Sequence, residues 1–302
     1  MWLFFAFLGP VSWAASTHID KYLVDRYFQN GDTAVLMVFT SLIGLAMLPF
    51  IWIFQPDVFA PPLQAILVMT ASGVLTIASM LFYLRAIQSE EASVVAPLFQ
   101  ATTIFTFLLA WIFLGETLTW NAGGGAALIV AGVLMLSLNR SLRLRRFKPR
   151  VVLGMLACTF IIALTSVIFK FYAVNDEFWT TTFWTFVGEA LFGIGILAVP
   201  HYRRQFVLLL RTNTGALLAV NGANEAINLG AGLGVRFATI LAPVALVSAV
   251  ASTTTLFVFA FGTLLTIFAP RLSHEDISRG NLARKAIAAA VVTAGVLLAQ
   301  SG

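Results

Sequence analysis

The sequence predicts an all-α integral membrane protein whose ten transmembrane helices form two inverted five-helix repeats. Three observations predict this fold class. The composition is 60% hydrophobic and only 10% charged, apolar runs of about 20 residues separate the polar segments, and the second half of the chain echoes the first. Helices of about 20 residues cross the hydrocarbon of a bilayer, whereas barrel strands would be about half as long and would alternate in polarity.

Ten apolar segments are predicted as helices from their length. They cover approximately residues 2–24, 33–54, 64–88, 91–114, 118–138, 151–173, 178–200, 213–236, 239–268 and 282–300. The ninth segment is long enough to be either a tilted or an interrupted helix. The first segment lacks the positively charged leader of a signal peptide, so it is predicted as a span.

Matching residues recur in the same order in both halves of the chain. With an offset of 149, Gly44 falls on Gly193, and with an offset of 151, Arg85 falls on Arg236. The segment AGVLML, at 131–136, recurs near the carboxyl terminus as AGVLLA. An unbroken order of matches along five helices predicts an internal duplication. Because five is an odd number, the two halves enter the membrane in opposite directions.

Lysine and arginine are distributed unequally between the predicted loops. One side carries the run RSLRLRRFKPR and nearly all other cations, whereas only Lys170 and Arg236 lie on the other. The positive-inside rule therefore predicts a multi-pass protein of the inner (plasma) membrane with both termini on the outer (periplasmic) side. The predicted domains are a first repeat over 1–138, a basic cytoplasmic linker over 139–150 and a diverged second repeat over 151–302.

The cations have anionic lipid head groups as their natural partner, because they lie in short loops beside membrane spans. The isoelectric point near 9.7 therefore does not indicate nucleic acid. The single cysteine, Cys158, gives no thiolate pair for a metal or for redox chemistry. The sequence has no Walker motif, no HExxH and no nucleophile elbow, so neither an enzyme nor a cofactor is predicted.

Residues 82–136 combine several recognisable motifs. They read FYLRAIQSEEASVVAPLFQATTIFTFLLAWIFLGETLTWNAGGGAALIVAGVLML, with a Ser-Glu-Ala turn, an Ala-Pro, a Leu-Gly-Glu and a glycine-rich helix. In this combination the chain resembles the EamA-type ten-helix members of the drug/metabolite transporter superfamily. The resemblance implies a secondary transporter, commonly an exporter of amino acids or other small metabolites, with a central cavity between the repeats. The second repeat departs from this pattern, with Ser248 in place of Pro97 and Ile267 in place of Glu116.

The segment LAVNGANEAINLG, at 218–230, places polar residues inside an apolar helix. Asn221, Asn224, Glu225 and Asn228 fall at i, i+3, i+4 and i+7, so all four share one helix face. A charged carboxylate facing lipid at the bilayer centre would cost at least about 2.5 kcal/mol. The sequence therefore predicts that this polar stripe faces the bundle interior or water.

Glu189, midway along the seventh helix, is a second deep acid. Two such acids can bind a cationic group, take up a proton, or alternate between the two, which would suit proton-coupled exchange. The structural alternative is that asparagine and glutamate hold helices together through hydrogen bonds and have no part in transport. Lys170 and Arg236, near helix ends, are predicted to reach the head groups, although carboxylate capture by Arg85 or Arg236 would suit an amino-acid substrate.

Other candidate binding or coupling residues have polar or aromatic side chains inside the spans. They are Trp13, His18, Tyr83, Gln100, Ser166 and Trp184. His18 could relay protons near neutral pH or lie at the interface, and the aromatic rings could stack on a substrate or simply pack. Ser166, like many membrane serines, could instead bond its own helix backbone.

Small residues repeat every four positions on the fifth and tenth helices. Gly123, Ala127 and Ala131 form one set, and Ala286, Ala290 and Ala294 the other. Such spacing lets helices approach closely. These two helices are predicted to be packing elements, either against each other or in a homodimer.

The functional expectation is a secondary active transporter that exports amino acids or related small organic metabolites by alternating access, with protons as a coupling partner. Two alternatives stay open. One is efflux of lipophilic cations, which the same acids and the 27 phenylalanines would suit. The other is a non-transporting membrane scaffold or sensor.

Overall fold

A computed structural model describes residues 1–27, 34–89, 98–137, 149–212, 214–268 and 278–301. No strand occurs in these ranges, and their helices are named here in chain order. They are α1 (Trp2–Tyr27), α2 (Ala34–Phe54), α3 (Leu63–Ser89), α4 (Ala101–Leu114), α5 (Trp120–Ser137), α6 (Pro149–Asn175), α7 (Phe178–Ala198), α8 (Pro200–Thr212), α9 (Thr214–Leu241), α10 (Val244–Ala251), α11 (Thr254–Phe268) and α12 (Arg279–Gln300). A short 3₁₀ helix, Pro56–Phe59, follows α2.

Glycine and proline set several of the helix boundaries. Gly115 ends α4 with a φ of 65°, a left-handed conformation that glycine adopts without strain. Pro149 and Pro200 are the first residues of α6 and α8, where the missing amide hydrogen costs nothing. Pro243 lies in the break between α9 and α10.

Six of the described spans are long and apolar enough to cross a membrane, and α4 and α5 are shorter apolar helices. One of the six combines α10 and α11. The helix α9, with 28 residues, is long enough as well, but Glu225, Arg236 and the asparagines lower its hydropathy. The described residues thus form helices and no strands, and the chain is a multi-pass membrane protein, while the count of ten spans stays a prediction.

The structure decides between the two alternatives for the ninth segment, and it differs from the sequence expectation at one further helix. The ninth predicted segment is interrupted, because a turn at Ser252 and Thr253 separates α10 from α11. The segment Pro200–Thr212, expected as a loop, is the amphipathic helix α8. The fourth predicted segment begins at 91, outside the described residues, so its first turns are not compared.

The helices α5 and α12 pack along each other at backbone distance. A methyl group on Gly125 would lie 2.5 Å from the backbone nitrogen of Ala299, and one on Gly295 would lie 2.8 Å from the Gly125 carbonyl oxygen. On Gly132, a methyl group would lie 2.7 Å from the Val292 side chain. The prediction that these two helices pack against each other is therefore confirmed.

The predicted small-residue sets, however, are not the residues that make this contact. Ala127, Ala131, Ala286, Ala290 and Ala294 are all exposed, and a methyl group on Gly123 would meet nothing within 4 Å. The larger neighbours Ile129 and Val292, with Gly125 and Gly295, make the seam instead. The homodimer through these helices stays a prediction.

The loops at one end of the bundle bring distant parts of the chain together. Trp2, Leu118, Pro243 and Ala299 line one cavity there, of about 530 Å³. Glu116 and Lys170 pair at the same end, which is named here the Glu116 end. The opposite end, where α8 lies, is named the α8 end.

Candidate functional site

The polar stripe of α9 points into the bundle. Asn221, Asn224 and Glu225 are buried and Asn228 is half-buried, whereas Gly222, Ala223 and Ala226 on the other face are exposed. This placement agrees with the argument that an acid at mid-depth avoids acyl chains. The stripe therefore belongs to the interior surface of the bundle.

Glu225 joins α9 to α2 through a hydrogen bond. The Thr40 hydroxyl donates to Glu225 Oε1 at 2.8 Å, and Glu225 is 5% exposed. Thr40 is the seventh residue of α2 and lies on the face of α2 that contacts α9. Sequence reasoning did not single out Thr40, because one threonine in an apolar helix carries no pattern that indicates a partner.

Glu189 forms an ion pair with Arg236. The guanidinium Nη2 donates to Glu189 Oε1 at 2.7 Å, with side-chain exposures of 20% for Arg236 and 9% for Glu189. The rings of Phe169 and Phe186 lie 5.3 and 5.2 Å from the Arg236 guanidinium carbon. The carboxylate and two aromatic faces thus hold the cation by charge and by cation–π contact.

The expectation that Arg236 and Lys170 reach the head groups is wrong for both residues. Arg236 is held by Glu189, and Lys170 Nζ lies 2.5 Å from Glu116 Oε1. A cation within a span is cheaper beside a carboxylate than in hydrocarbon, so a facing acid overrides the tendency to snorkel. Spacing along one helix could not predict this, because each acid comes from a helix or loop distant in sequence.

A tight contact between α3 and α7 lies directly beside Glu189. A methyl group on Gly188 would lie 1.9 Å from the Thr70 carbonyl oxygen, and one on Gly73 would lie 2.0 Å from the Thr185 carbonyl oxygen. The same methyl on Gly73 would be 3.0 Å from the backbone nitrogen of Glu189. The backbones of α3 and α7 therefore touch, and only glycine fits at either position.

Glu116, from the Leu-Gly-Glu motif, organises the Glu116 end. Its Oε2 accepts a hydrogen bond from the Val244 backbone N–H at 2.9 Å, where α10 begins. Lys170 also donates to the Ala242 carbonyl oxygen at 2.7 Å, where α9 ends. A carboxylate at a helix start and an ammonium at a helix end both match the helix dipoles. The Glu116–Lys170 pair thus connects α6 to the junction of α9 and α10.

The other sequence candidates lie at separate places in the bundle. The Trp184 indole donates to the Val58 carbonyl oxygen at 2.6 Å. His18 Nε2 lies 3.2 Å from the Val258 carbonyl oxygen of α11, and the Tyr83 ring packs on Phe99 with centroids 5.4 Å apart. Each of these contacts gives the side chain a packing or hydrogen-bonding role.

Ser166, Trp13 and Gln100 differ in how their polar groups are used. The Ser166 hydroxyl donates to the Ile162 carbonyl oxygen of its own helix at 2.8 Å. Trp13 is half-buried on α1, where its ring approaches Gly9. Gln100 is buried at the start of α4, and its Oε1 has no hydrogen-bond donor among the described residues.

The two deep acids occupy different contacts. Glu189 meets Arg236 of α9, whereas Glu225 lies eleven residues before Arg236 on the same helix, about 16 Å away along its axis. The arrangement therefore offers two chemical functions at two depths: a paired cation and anion, and a carboxyl group bonded to a neutral hydroxyl. No cluster of three His, Cys, Asp or Glu side chains suited to a metal occurs in the described ranges.

Comparison with known proteins matches the first half of the chain to a family. The EamA-like transporter family model covers residues 1–138. No curated protein matches the chain, but 20 chains of solved structures do. One is a crystal structure of a protein 16% identical to this chain, with a TM-score of 0.64, and the match covers 98% of this chain and 95% of the other. At this identity the likeness concerns the fold alone. The matched residues contain α1 to α5 and Glu116, so this part of the chain is similar to the EamA-like transporter family, which is part of the drug/metabolite transporter superfamily.

Proposed function

We propose that this protein is a secondary active transporter that exports small organic metabolites bearing a carboxylate, most simply amino acids, by alternating access. The observation that carries the substrate class is the Arg236–Glu189 pair between Phe169 and Phe186. A substrate carboxylate takes the guanidinium, and a substrate ammonium takes the carboxylate of Glu189. A zwitterion replaces the internal ion pair with two new ones, so no charge is left uncompensated within the bundle.

Export rather than uptake rests on the resemblance to EamA-type transporters and on the family match of residues 1–138. The driving reaction is exchange for a proton at Glu225. Its Oε1 accepts a hydrogen bond from Thr40, and protonation removes the negative charge that strengthens this bond. Proton uptake at Glu225 thus weakens a contact between α2 and α9, which gives the proton a differential effect on two conformations.

The predicted inverted repeat is supported by which helices pack together. With offsets near 150, α1 corresponds to α6 and α3 corresponds to α9. The contact of α1 with α9 therefore has its counterpart in the contact of α6 with α3, and both contacts are extensive. The α2–α7 and α5–α12 contacts each map onto themselves. This pairing is expected for two halves related by an axis in the membrane plane.

One pair of equivalent contacts is unequal, and this inequality supports alternating access. The extensive α3–α7 contact corresponds to the α9–α2 contact, which is much smaller. At offsets of 149 and 151, Gly188 corresponds to Phe39, Glu189 to Thr40, and Gly73 to Asn224. Glycines close the first contact at backbone distance, whereas the Thr40–Glu225 hydrogen bond joins the helices at the second. In this proposal the two contacts open in turn.

Transport in proteoliposomes tests the proposal. A panel of radiolabelled amino acids is assayed for counterflow with the wild-type chain, with Arg236→Gln and with Arg85→Gln. Arg85 is the repeat counterpart of Arg236 and is exposed, so Arg85→Gln is the matched control for loss of charge. We expect Arg236→Gln to abolish counterflow of zwitterions and Arg85→Gln to preserve it.

Proton coupling is tested in the same vesicles with an imposed pH gradient. Substrate-dependent proton movement is expected for the wild type and is expected to disappear in Glu225→Gln. Competition by quaternary ammonium compounds but not by amino acids would instead identify a lipophilic-cation exporter. Absence of transport for every substrate, with correctly folded protein, would leave the scaffold or sensor.

A further inference from the structure

The amphipathic helix α8 has two distinct faces. Tyr202, Phe206 and Leu209 pack against a cluster that includes Ile19 and Val220. The other face carries three exposed arginines, Arg203, Arg204 and Arg211, with exposed Val207 and Leu208 between them. The packed face fixes the helix on the bundle and leaves the second face outward.

The outward face mixes cations with apolar side chains, a combination that suits the boundary between lipid head groups and acyl chains. Leu208 is 62% exposed, which is unfavourable in water, while guanidinium groups are costly in hydrocarbon. A helix in the head-group layer satisfies both, because its apolar side chains enter the acyl boundary and its arginines contact phosphates. Arginine also binds phosphate oxygens with two parallel N–H donors.

The packed face of α8 lies against the helices that Glu225 joins. The Phe206 ring lies 4.9 Å from the ring of Phe39, centroid to centroid. Phe39 is the residue before Thr40 on α2, and Val220 is the residue before Asn221 on α9. The packed face of α8 therefore contacts α2 and α9 directly beside the residues of the α2–α9 contact.

We propose that α8 is a binding site for the anionic head groups of phospholipids in the adjoining leaflet, and that this binding stabilises the α2–α9 contact. Arg203, Arg204 and Arg211 hold the phosphate groups, and Val207 and Leu208 enter the acyl boundary. The regulatory half of this inference rests on the proposed transport function, whereas the lipid site does not.

Lipid binding is measured first, without transport. The full-length chain carrying an environment-sensitive fluorophore at Leu208→Cys is placed in phosphatidylcholine vesicles, and phosphatidylglycerol with a quencher on its chain is titrated in. Native Cys158 is buried, so the label reports α8. We expect preferential quenching by phosphatidylglycerol over equally labelled phosphatidylcholine, and a smaller preference at high salt.

The matched variants remove two charges each at the α8 end. Arg203→Gln/Arg204→Gln is expected to weaken the preference for phosphatidylglycerol by about fivefold for each arginine removed. Arg85→Gln/Arg150→Gln removes exposed cations from α3 and α6 and is expected to leave the preference at α8 unchanged. Equal loss in the two variants, or no preference in the wild type, would overturn the lipid site and leave an acidic protein partner as the chemistry that the arginines fit.

Transport then tests the regulatory half. Phosphatidylglycerol is expected to change the counterflow rate of the wild type and of Arg85→Gln/Arg150→Gln but not of Arg203→Gln/Arg204→Gln. An equal response in all three proteins would overturn the coupling of α8 to transport. If no protein transports any substrate, the proposed function fails, while the quenching result still decides the lipid site.

Discussion

Arg236 and Lys170 are cations inside or at the ends of membrane spans, and each is placed against a carboxylate from another part of the chain. The desolvation of an arginine at this depth costs several kcal/mol, and a facing acid recovers most of that cost. The same pairing makes each acid dependent on its partner. Glu189 and Arg236 are therefore a unit in stability as well as in the proposed binding chemistry.

Replacing one partner of this ion pair is expected to destabilise the protein more than replacing both partners together. Glu189→Gln leaves the guanidinium uncompensated, and we expect a loss of about 3 kcal/mol in the free energy of unfolding, the lower end for buried pairs because Arg236 is one-fifth exposed. In Glu189→Gln/Arg236→Gln the two amides can bond to each other, so part of the loss is recovered. Unfolding by denaturant in micelles measures this; additive losses would contradict the pairing.

Thr40 has a narrower expected effect. Thr40→Val keeps the shape of the side chain but removes the donor to Glu225, which is expected to cost about 2 kcal/mol as the loss of a hydrogen bond to a charged group. Thr40→Ser retains the hydroxyl and is the control. We expect Thr40→Val, but not Thr40→Ser, to alter the response of counterflow to an imposed pH gradient; unchanged coupling in both variants would argue against proton coupling through the Thr40–Glu225 bond.

Residue spacing in the sequence predicts faces but not partners. The i, i+3, i+4 and i+7 pattern was enough to place Asn221, Asn224 and Glu225 on a buried face. The partners Thr40 and Arg236 could not be predicted in the same way, because they depend on how α2, α7 and α9 lie beside one another. One feature of the sequence does single out Arg236: it is one of only two cations on the predicted outer side of the membrane.

At the scale of elements, the closest contact near the candidate site is between α3 and α7. Gly73 and Gly188 let two peptide backbones touch, and no side chain separates them. Helix pairs in membranes associate through such small-residue contacts, because lipid provides no hydrophobic drive between them. This contact therefore depends on shape alone and is sensitive to a single methyl group.

Gly188→Ala and Gly195→Ala separate this effect from helix propensity. Both positions lie on α7, but a methyl group on Gly188 meets the Thr70 carbonyl oxygen at 1.9 Å, whereas one on Gly195 meets nothing within 4 Å. We expect Gly188→Ala to destabilise the protein by about 1–3 kcal/mol through overpacking and Gly195→Ala to be neutral or stabilising by up to about 1 kcal/mol. Thermal unfolding in micelles distinguishes them, and similar shifts in both variants would refute the close contact.

The long apolar elements could be predicted from hydropathy, but α8 could not. Its 13 residues are too short for a span, and the apolar run Val207 to Leu210 has arginines close to both of its ends. Such a segment is equally compatible with a loop, so its helical state depends on the surface that Val35 and Val220 offer to it. Tertiary packing, and not propensity, decides short amphipathic helices.

At the scale of the whole molecule, the two chain ends lie at the same end of the bundle. Trp2 and Gln300 line one cavity at the Glu116 end. This agrees with an even number of crossings, and the predicted cation distribution puts that end on the outer side. Single cysteines at positions 2 and 300, in a background without Cys158, are expected to react with an impermeant maleimide added outside intact cells. Labelling of one terminus only would contradict both the packing and the repeat.

The motifs that resemble the family lie in the first half of the sequence, where the family match also lies, and the second half departs from them. Ser248 and Ile267 replace the proline and glutamate of the motif. In the structure Glu116 already serves both halves, because it binds Lys170 of α6 and the start of α10. A second glutamate at position 267 is therefore not needed for this contact of Glu116 with Lys170 and Val244.

The glycine-lined seam between α5 and α12 has a mechanical consequence. These helices come from opposite halves of the chain and meet peptide to peptide at Gly125, Gly132 and Gly295, so one cannot slide along the other without collision. In the proposed transport cycle, a tilt about this seam would keep these contacts, whereas a translation along it would break them.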